Sequence, residues 1–176
     1  MPSKTSPAAS LDLERYVPAL ITFLANKMSA GASRLYRDNF GVGIVEWRLL
    51  ALLKVEDAIT PNRMCQVIGL DKAAVSRSLK YLQASAYVHF RSDPEDARKT
   101  IVSLTESGNV LHDEIFQVAI KREALLLGDF SAAERDTLIN LLSRMNARVG
   151  LVNAYDPNSP ANTQENSQTN SPSTGC

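Results

Sequence analysis

Residues 60–82, TPNRMCQVIGLDKAAVSRSLKYL, have the pattern of two short helices joined by a tight turn. Thr60 and Pro61 are typical of an N-cap followed by a proline in the first helical turn, and Gly69 is typical of a helix end. Asp71 is placed to cap the second helix. Because so few residues separate the two helices, this stretch predicts a helix-turn-helix.

Two short extended runs follow this stretch and predict a β-hairpin. Residues 87–91, YVHFR, and residues 100–104, TIVSL, each alternate with a period of two. The segment between them is polar and contains Pro94, which favours a long connecting tip. A helix-turn-helix followed directly by a hairpin is the arrangement of a winged helix-turn-helix.

Amphipathic helices are predicted on both sides of this winged unit. Apolar residues recur there with three- and four-residue spacing, as on one face of a helix. Pro18 must lie in or near the first turn of its helix or mark a kink, and Ser131 with Glu134 forms a capping box. The second helix is apolar on more than one side, which predicts a central position in the core. We expect six helices, at about residues 13–40, 44–55, 61–68, 72–85, 106–127 and 131–152. The predicted fold class is mainly α with a small β-hairpin wing.

The length of the chain, 176 residues, predicts one compact domain or a small domain with helical extensions. Apolar residues make up 44%, which is enough for a core, and two cysteines cannot form a disulfide framework, so we expect a reducing compartment. No stretch approaches the roughly 20 apolar residues that span a bilayer, and no secretory signal is present. We therefore expect a soluble, cytoplasmic protein without membrane contact, disordered at its polar ends, residues 1–10 and 156–176.

Charge is distributed unevenly along the chain, although its 19 basic and 19 acidic residues cancel. Residues 60–100 carry seven basic and four acidic side chains, whereas residues 101–150 carry five basic and seven acidic ones. A surface that binds nucleic acid must be locally positive, because neutralising phosphates releases counterions. The most basic segment therefore coincides with the predicted winged unit, although an excess of this size is also common on solvated surfaces.

The second helix of the helix-turn-helix places small and basic side chains opposite the residues expected to be buried. Small residues let a helix approach base edges, and serine and arginine can reach bases or phosphates. This composition is the one that a recognition helix in a major groove requires. The predicted DNA-binding residues on this helix are Lys72, Ala73, Ser76, Arg77 and Lys80.

The hairpin tip carries two cations beside a carboxylate. Arg98 in a narrow minor groove would read the width and negative potential of that groove, and Asp96 can hold its guanidinium by a charge-assisted hydrogen bond. The alternative is an ordinary surface ion pair. Outside the recognition helix, the predicted DNA-binding residues are Arg63, Arg91, Asp96, Arg98 and Lys99.

No sequence pattern indicates catalysis, a cofactor or a metal site. The eight glycines are scattered and form no phosphate-binding loop, and neither Gly-x-Ser-x-Gly nor His-Glu-x-x-His occurs. His89 and His112 lie on different elements, without the short ligand spacing of a zinc site. We expect a binding protein, either a DNA-binding regulator or a helical adaptor without sequence-specific DNA binding.

The segment from Arg91 to Gly108 resembles the wing of the MarR (multiple antibiotic resistance regulator) family of bacterial repressors. RSDPEDAR at residues 91–98, followed by VSLTESG at residues 102–108, is similar to the family's Asp-x-Arg tip and Leu-Thr-x-x-Gly motif. Residues 46–50 resemble the family's second helix, and residues 71–82 resemble its recognition helix. Ala73-Ala74 departs from the pattern, since relatives often have Ser or Thr there, and this leaves the operator sequence open.

The resemblance implies a homodimer that represses transcription from a palindromic operator. Its dimerisation helices would lie at about residues 11–40 and 105–153, around a winged helix-turn-helix at about residues 44–104. The two half-site centres would be about one helical turn of DNA apart, near 10 base pairs.

The resemblance also implies an effector, because small phenolic compounds or aromatic acids often bind such proteins between the dimerisation helices and the DNA-binding domain. Trp47 offers a ring for stacking, and Arg48 offers a guanidinium for a carboxylate. The other predicted ligand-binding residues, on helices that could line the same cavity, are Met28, Ser29 and His112. The alternative is that Trp47 packs in the core and Arg48 makes a structural ion pair.

A second possible signal is oxidation of Cys65, on the short helix before the recognition helix. A sensing thiol needs access to solvent and a depressed pKa. The apolar neighbours of Cys65 favour packing instead, since buried cysteines are usually inert.

Overall fold

The computed structural model describes residues 10–159, and within that range it contains six helices and one two-stranded hairpin. The predicted disorder of residues 1–9 and 160–176 lies outside the described residues. The elements in chain order are α1 (Val17–Phe40), α2 (Ile44–Val55), α3 (Pro61–Ile68), α4 (Lys72–Ala84), β1 (Val88–Ser92), β2 (Thr100–Leu104), α5 (Glu106–Leu126) and α6 (Ala132–Asn153). This is the predicted order of elements, with most bounds within a residue or two.

Helix α1 begins later than the apolar pattern predicts. The prediction of a start at about residue 13 is wrong, because Pro18 would then lie in the helix interior, where its ring meets the preceding turn. Instead Tyr16 is the N-cap and Pro18 lies in the first turn. The preceding residues form a separate turn, in which the backbone N–H of Tyr16 donates to the carbonyl of Asp12 at 2.8 Å.

The core is built around α2, as its all-round apolar character predicts. Leu49, Leu50, Leu52 and Leu53 of this helix are all buried. Residues from α1, α3, α4, the hairpin and α5 join the same apolar cluster. Burial at about 25 cal/mol per Å² of apolar surface makes this cluster the main stabilising element of the domain.

The helix-turn-helix is bounded by the caps that its sequence predicts. Thr60 Oγ1 accepts a hydrogen bond from the backbone N–H of Arg63 at 3.2 Å, and Asp71 Oδ1 accepts one from Ala74 at 2.8 Å. Gly69 ends α3 in the left-handed conformation, with φ 74°. These caps fix the turn between α3 and α4 and therefore the direction in which α4 leaves it.

The hairpin is antiparallel, with Val88 opposite Leu104 and Ser92 opposite Thr100. β1 is shifted one residue later than predicted, because the backbone N–H of Tyr87 turns back to the carbonyl of Leu82 and belongs to the turn after α4. The backbone N–H of Val102 also donates to the carbonyl of Ile59 at 2.9 Å, an interaction the sequence did not predict. This bond attaches the hairpin to the segment before α3.

Helix α5 starts in close contact with the turn that follows α4. Thr105 Oγ1 accepts from the backbone N–H of Gly108 at 3.0 Å and donates to the carbonyl of Ala86 at 2.7 Å. A Cβ at Gly108 would lie 2.0 Å from the carbonyl oxygen of Tyr87. The Leu-Thr-x-x-Gly motif is therefore explained by a helix start that lies directly against the wing base.

The chain divides into two compact units, one ending at Glu123 and the other beginning at Ala124. The second unit contains α6, whose predicted capping box is present: Glu134 Oε2 accepts from the backbone N–H of Ser131 at 2.8 Å. No residue of α6 is buried. Among residues 10–159, no helix is long and apolar enough to cross a membrane.

Candidate nucleic-acid interface

Helix α4 presents one apolar and one polar, basic face. Val75, Leu79 and Leu82 are buried in the core. The five side chains predicted to bind DNA from this helix are all exposed: Lys72, Ala73, Ser76, Arg77 and Lys80. Three positive charges and two small side chains thus share one solvent-facing surface, a composition that suits a DNA groove.

Two contacts that sequence reasoning missed hold α4 against the first turn of α2 and the turn before it. Ser78 Oγ donates to Glu46 Oε1 at 2.5 Å, and Tyr81 Oη donates to the carbonyl of Gly41 at 2.8 Å. Ser78 interrupts the apolar face of α4, and a polar residue at a buried helical position was the available signal for the first bond. No sequence pattern indicates the second.

The wing tip places Arg98 almost entirely in solvent, with 91% of its side chain exposed. Its Nε donates to Asp96 Oδ1 at 3.1 Å, and Lys99 Nζ lies 3.6 Å from the other oxygen of the same carboxylate. The hydrogen bond from Arg98 is the largest cause that lowers the pKa of Asp96 below its usual value. The hydrogen bond predicted between Asp96 and Arg98 is therefore present, and it leaves most of the guanidinium free to donate elsewhere.

The remaining two predicted DNA-binding cations differ in their surroundings. Arg91 is exposed on β1. Arg63 donates to both carboxylate oxygens of Glu56, from Nε and Nη2, at 2.8 Å each. These hydrogen bonds lower the pKa of Glu56 and raise that of Arg63. A phosphate would have to compete with this carboxylate or use the remaining N–H groups of Arg63.

A cavity of about 510 Å³ lies between α2 and α5, with aromatic rings along its wall. Trp47 stacks on His112 with ring centroids 5.3 Å apart, and His112 stacks on Phe116 at 5.9 Å. Nδ1 of His112 lies 2.7 Å from Asp113 Oδ1, and this hydrogen bond is the main cause of the lowered pKa of Asp113. Two of the five predicted ligand-binding residues, Trp47 and His112, thus share one cavity wall.

The other three predicted ligand-binding residues do not line this cavity. Arg48 Nη2 donates to Ser29 Oγ at 2.9 Å, so these two side chains form a pair between α2 and α1. Met28 lies on the exposed apolar side of α1. Arg48 therefore has a structural partner, as the alternative expects, but that partner is a neutral hydroxyl and not the carboxylate of an ion pair.

Cys65 is a free thiol of intermediate burial on α3. It lines a second cavity, of about 340 Å³, between α3, α4 and the hairpin. Within residues 10–159, no group of three or more His, Cys, Asp or Glu side chains is arranged to hold a metal ion. Oxidation sensing by Cys65 stays a prediction.

Two helices joined by a capped turn, followed by a hairpin whose tip exposes Arg98, define a winged helix-turn-helix protein. The MarR family model matches residues 40–99. The HTH-type transcriptional regulator YdgJ of Bacillus subtilis is 32% identical over 114 residues, which cover 65% of this chain and 70% of that protein. The HTH-type transcriptional repressor NicR of Pseudomonas putida is 30% identical over 101 residues, which cover 57% of this chain and 64% of NicR.

The solved structures include a MarR/EmrR family transcriptional regulator from Acinetobacter sp. ADP1, with a TM-score of 0.75 and 35% identity. The alignment covers 80% of this chain and 99% of that one. The chain belongs to the MarR family of DNA-binding transcriptional regulators. The predicted family is therefore confirmed, and the alternative of a helical adaptor without DNA binding is not supported by these relatives, which are regulators of transcription and not enzymes.

Proposed function

We propose that the protein is a homodimeric repressor that binds a palindromic operator and leaves it when a small aromatic effector binds. Each α4 would enter a major groove with Lys72, Ser76, Arg77 and Lys80, and each wing would place Arg98 in a flanking minor groove. The observation that carries the proposal is the shared exposure of the basic face of α4 and of Arg98. Both elements lie within one compact unit.

Exposed apolar side chains on the terminal helices support the homodimer. The first unit exposes an apolar stripe on α1, formed by Val17, Leu20, Ile21, Leu24 and Met28. The second unit exposes a similar set on α6, formed by Ile139, Leu141, Leu142, Met145 and Val149. Contiguous apolar surfaces of this kind mark interaction sites, because leaving them in water is unfavourable. A second copy of the chain, joined through these helices, is the occupant that we propose.

The name of one relative supports repression as the mode of regulation, since NicR is a transcriptional repressor. A bound dimer that covers a promoter would block transcription by occupancy alone. Activation would require an additional contact with the transcription machinery, so repression is the simpler proposal.

We propose that the effector, a small aromatic acid or phenolic compound, binds at the cavity lined by Trp47 and His112. Its volume of about 510 Å³ suits a small molecule, and its stacked rings suit an aromatic one. Release from DNA requires that the ligand favour a wing spacing that does not fit the operator. A hundredfold preference for that state is worth about 2.7 kcal/mol of coupling.

The experiment that tests DNA binding measures fluorescence anisotropy with a palindromic duplex from the gene's own promoter and with a scrambled duplex of equal composition. We expect the palindrome to bind at least about a hundredfold more tightly at moderate salt. Both affinities should fall with salt concentration as phosphate contacts are lost. Equal affinity for the two duplexes, or a monomer at micromolar concentration by light scattering, would contradict the proposal.

The effector is tested with a panel of benzoic acids and phenols. Trp47 is the only tryptophan of the chain, so quenching of its fluorescence reports binding near the cavity. Ala51 lines the same cavity on α2, so Ala51→Leu should fill part of it. We expect this variant to bind the operator like the wild type but to need a higher effector concentration for release. An unchanged response would place the effector elsewhere.

A further inference from the structure

Helix α4 carries two side chains, one buried and one exposed, whose hydroxyls donate to neighbouring elements of the same unit. Ser78 is 7% exposed and cannot touch DNA, yet its hydroxyl donates to Glu46 on α2. Tyr81 is 45% exposed, and its hydroxyl donates to the carbonyl of Gly41 at the end of α1. The bond from Tyr81 ends on the short segment that joins α1 to α2, and the bond from Ser78 ends on the first turn of α2, directly after that segment.

That segment is itself held rigidly, so it can act as a fixed support. Gly41 adopts the left-handed conformation, with φ 74°, and its N–H donates to Arg37 of α1. Glu46 Oε2 accepts from the N–H of Gly43 at 2.9 Å. A Cβ at Gly43 would lie only 2.9 Å from Glu46 Oε2 and 3.1 Å from Arg37 Nη2. The space around the turn is therefore filled by polar atoms that converge on it.

Glu46 uses its two oxygens for two different elements. Oε2 binds the turn between α1 and α2 through Gly43, while Oε1 binds α4 through Ser78. A hydrogen bond to a carboxylate is roughly twice as strong as one between neutral groups. One carboxylate thus links the turn before α2, the first turn of α2 and the middle of α4.

Ser78 and Tyr81 are three residues apart and lie on neighbouring positions of one helical face. Their attachment points are separated by about 4.5 Å along the axis of α4, at a rise of 1.5 Å per residue. Apolar packing alone permits small rotations and shifts, because it is not directional. Two directional bonds at different heights fix both the rotation of α4 about its axis and its position along that axis.

We propose that Glu46, Ser78 and Tyr81 are positioning residues for operator recognition, which set α4 at a fixed angle to the end of α1. This inference rests on the proposed function, in which α1 contributes to the dimer and α4 enters the major groove. Because α1 would be shared with the second copy, a fixed angle between α4 and α1 determines the distance between the two recognition helices. Loss of the positioning bonds should therefore reduce discrimination between half-site spacings more than it reduces general attraction to DNA.

The experiment compares Ser78→Ala and Tyr81→Phe with the wild type on four duplexes: the operator, the operator with one base pair added or removed between half-sites, and a scrambled duplex. Tyr87→Phe is the matched control, because it removes a tyrosine hydroxyl that has no hydrogen-bond partner in the described part of the chain. Thermal melting and light scattering establish that each variant is folded and dimeric. Ser78→Thr, which keeps the hydroxyl, tests rescue.

We expect each of the two variants to lower operator affinity by about tenfold, because α4 then loses one of the two directional bonds that hold it at the angle the operator requires. The preference for the native spacing over the altered spacings should shrink, while affinity for the scrambled duplex stays within about twofold. Tyr87→Phe and Ser78→Thr should retain the spacing preference. If Ser78→Ala does not fold, Tyr81→Phe decides the question, since its hydroxyl lies outside the core.

The inference is overturned if folded, dimeric Ser78→Ala and Tyr81→Phe keep both the affinity and the spacing preference of the wild type. Failure of the proposed function gives a different result. In that case the wild type itself does not discriminate between operator and scrambled duplex, and Arg77→Ala, included in the same series, binds as the wild type does. A wild type that discriminates, an impaired Arg77→Ala and unimpaired positioning variants together refute only the inference.

Discussion

At the tip of the wing, Nε of Arg98 lies 3.1 Å from Oδ1 of Asp96, two residues before it in the chain. The same aspartate oxygen also accepts from the backbone N–H of Arg98 at 3.2 Å. One carboxylate therefore sets both the backbone turn and the direction of the guanidinium. An exposed ion pair adds little to the stability of the fold. Its effect here is to hold the Arg98 side chain in one direction before DNA binds, which lowers the entropy cost of binding.

We predict that Arg98→Ala lowers operator affinity about 10- to 100-fold while the dimer survives. The reason is the loss of a cation directed toward the minor groove, where the negative potential is strongest in narrow stretches. Anisotropy titrations with the operator, alongside light scattering, test both parts. Glu95→Ala, which removes an exposed carboxylate from the same tip, is the control and should keep or raise affinity, because it lessens repulsion of the phosphates. Equal affinity of Arg98→Ala and wild type would remove the wing from the mechanism.

A second prediction concerns Arg77, on the exposed face of α4. If its guanidinium reads a base edge, Arg77→Ala should lower operator affinity by about 10- to 100-fold and scrambled-duplex affinity much less. If it contacts only phosphate, both affinities should fall equally. The slope of log affinity against log salt concentration should then become less steep by about one, because one fewer counterion is released. Titrations of both duplexes at several salt concentrations separate the outcomes. A variant that loses neither affinity would show that Arg77 stays outside the interface.

The sequence predicted the elements well because their ends carry strong local signals. Thr60, Asp71 and Ser131 cap the helices that their positions predict, since a capping side chain acts within three residues. The start of α1 was missed because the apolar spacing continues through Pro18 into a stretch that the proline excludes from the helix.

The candidate site was less predictable where it depends on contacts between distant residues. Exposure of the basic face of α4 followed from helical periodicity alone. The bond from Ser78 to Glu46 joins residues 32 positions apart, and the separation of Arg48 from the cavity of Trp47 depends on how α1 packs. Such relationships arise from tertiary packing, for which a single sequence carries no periodic signal.

A third prediction follows from the close approach of Gly108 to Tyr87. In Gly108→Ala, the new Cβ would meet the Tyr87 carbonyl oxygen at 2.0 Å, so α5 must shift away from the wing base. We expect a loss of about 1–3 kcal/mol in the free energy of unfolding, as is typical of overpacking, despite the better helix propensity of alanine. Gly31→Ala is the matched control, because its Cβ would meet only Arg122 Nη2, at 3.8 Å. Urea denaturation measures the free energy of unfolding of both variants. A Gly108→Ala variant as stable as the wild type would contradict the close approach of Gly108 to the Tyr87 carbonyl.

A fourth prediction concerns pH and the N-cap of α4. The backbone N–H of Ala74 is the largest cause that lowers the pKa of Asp71 below its usual value. Because the folded-state pKa is lowered, the ionised cap contributes stability above the ordinary pKa, and this contribution is lost as the pH falls through the lowered value. Asp71→Asn keeps a capping oxygen without the charge. We expect the wild type to melt at a higher temperature than this variant at pH 7, with the difference shrinking below about pH 4 and vanishing only once the pH is below the lowered pKa of Asp71. Melting curves from pH 7 to pH 2.5 test this, and a difference that is constant with pH would show that the charge of Asp71 is not involved.

Arg48 can either bind the carboxylate of an effector or only hold α2 against α1, and a last prediction separates the two roles. Its guanidinium donates to Ser29 Oγ, a neutral partner that a carboxylate could replace with a stronger, charge-assisted bond. If an aromatic acid takes that bond, Arg48→Ala should raise the acid concentration needed for DNA release by about 10- to 100-fold, whereas a phenol that lacks a carboxylate should act as it does on the wild type. Ser29→Ala is the paired variant, because it removes the present hydrogen-bond partner of Arg48 and leaves the guanidinium free for the ligand. DNA release from this variant should therefore need the same or a lower acid concentration than release from the wild type. Release is measured by anisotropy and ligand binding by Trp47 fluorescence. If Arg48→Ala shifts the responses to acids and phenols equally, Arg48 acts through the packing of α2 on α1 and does not bind the carboxylate.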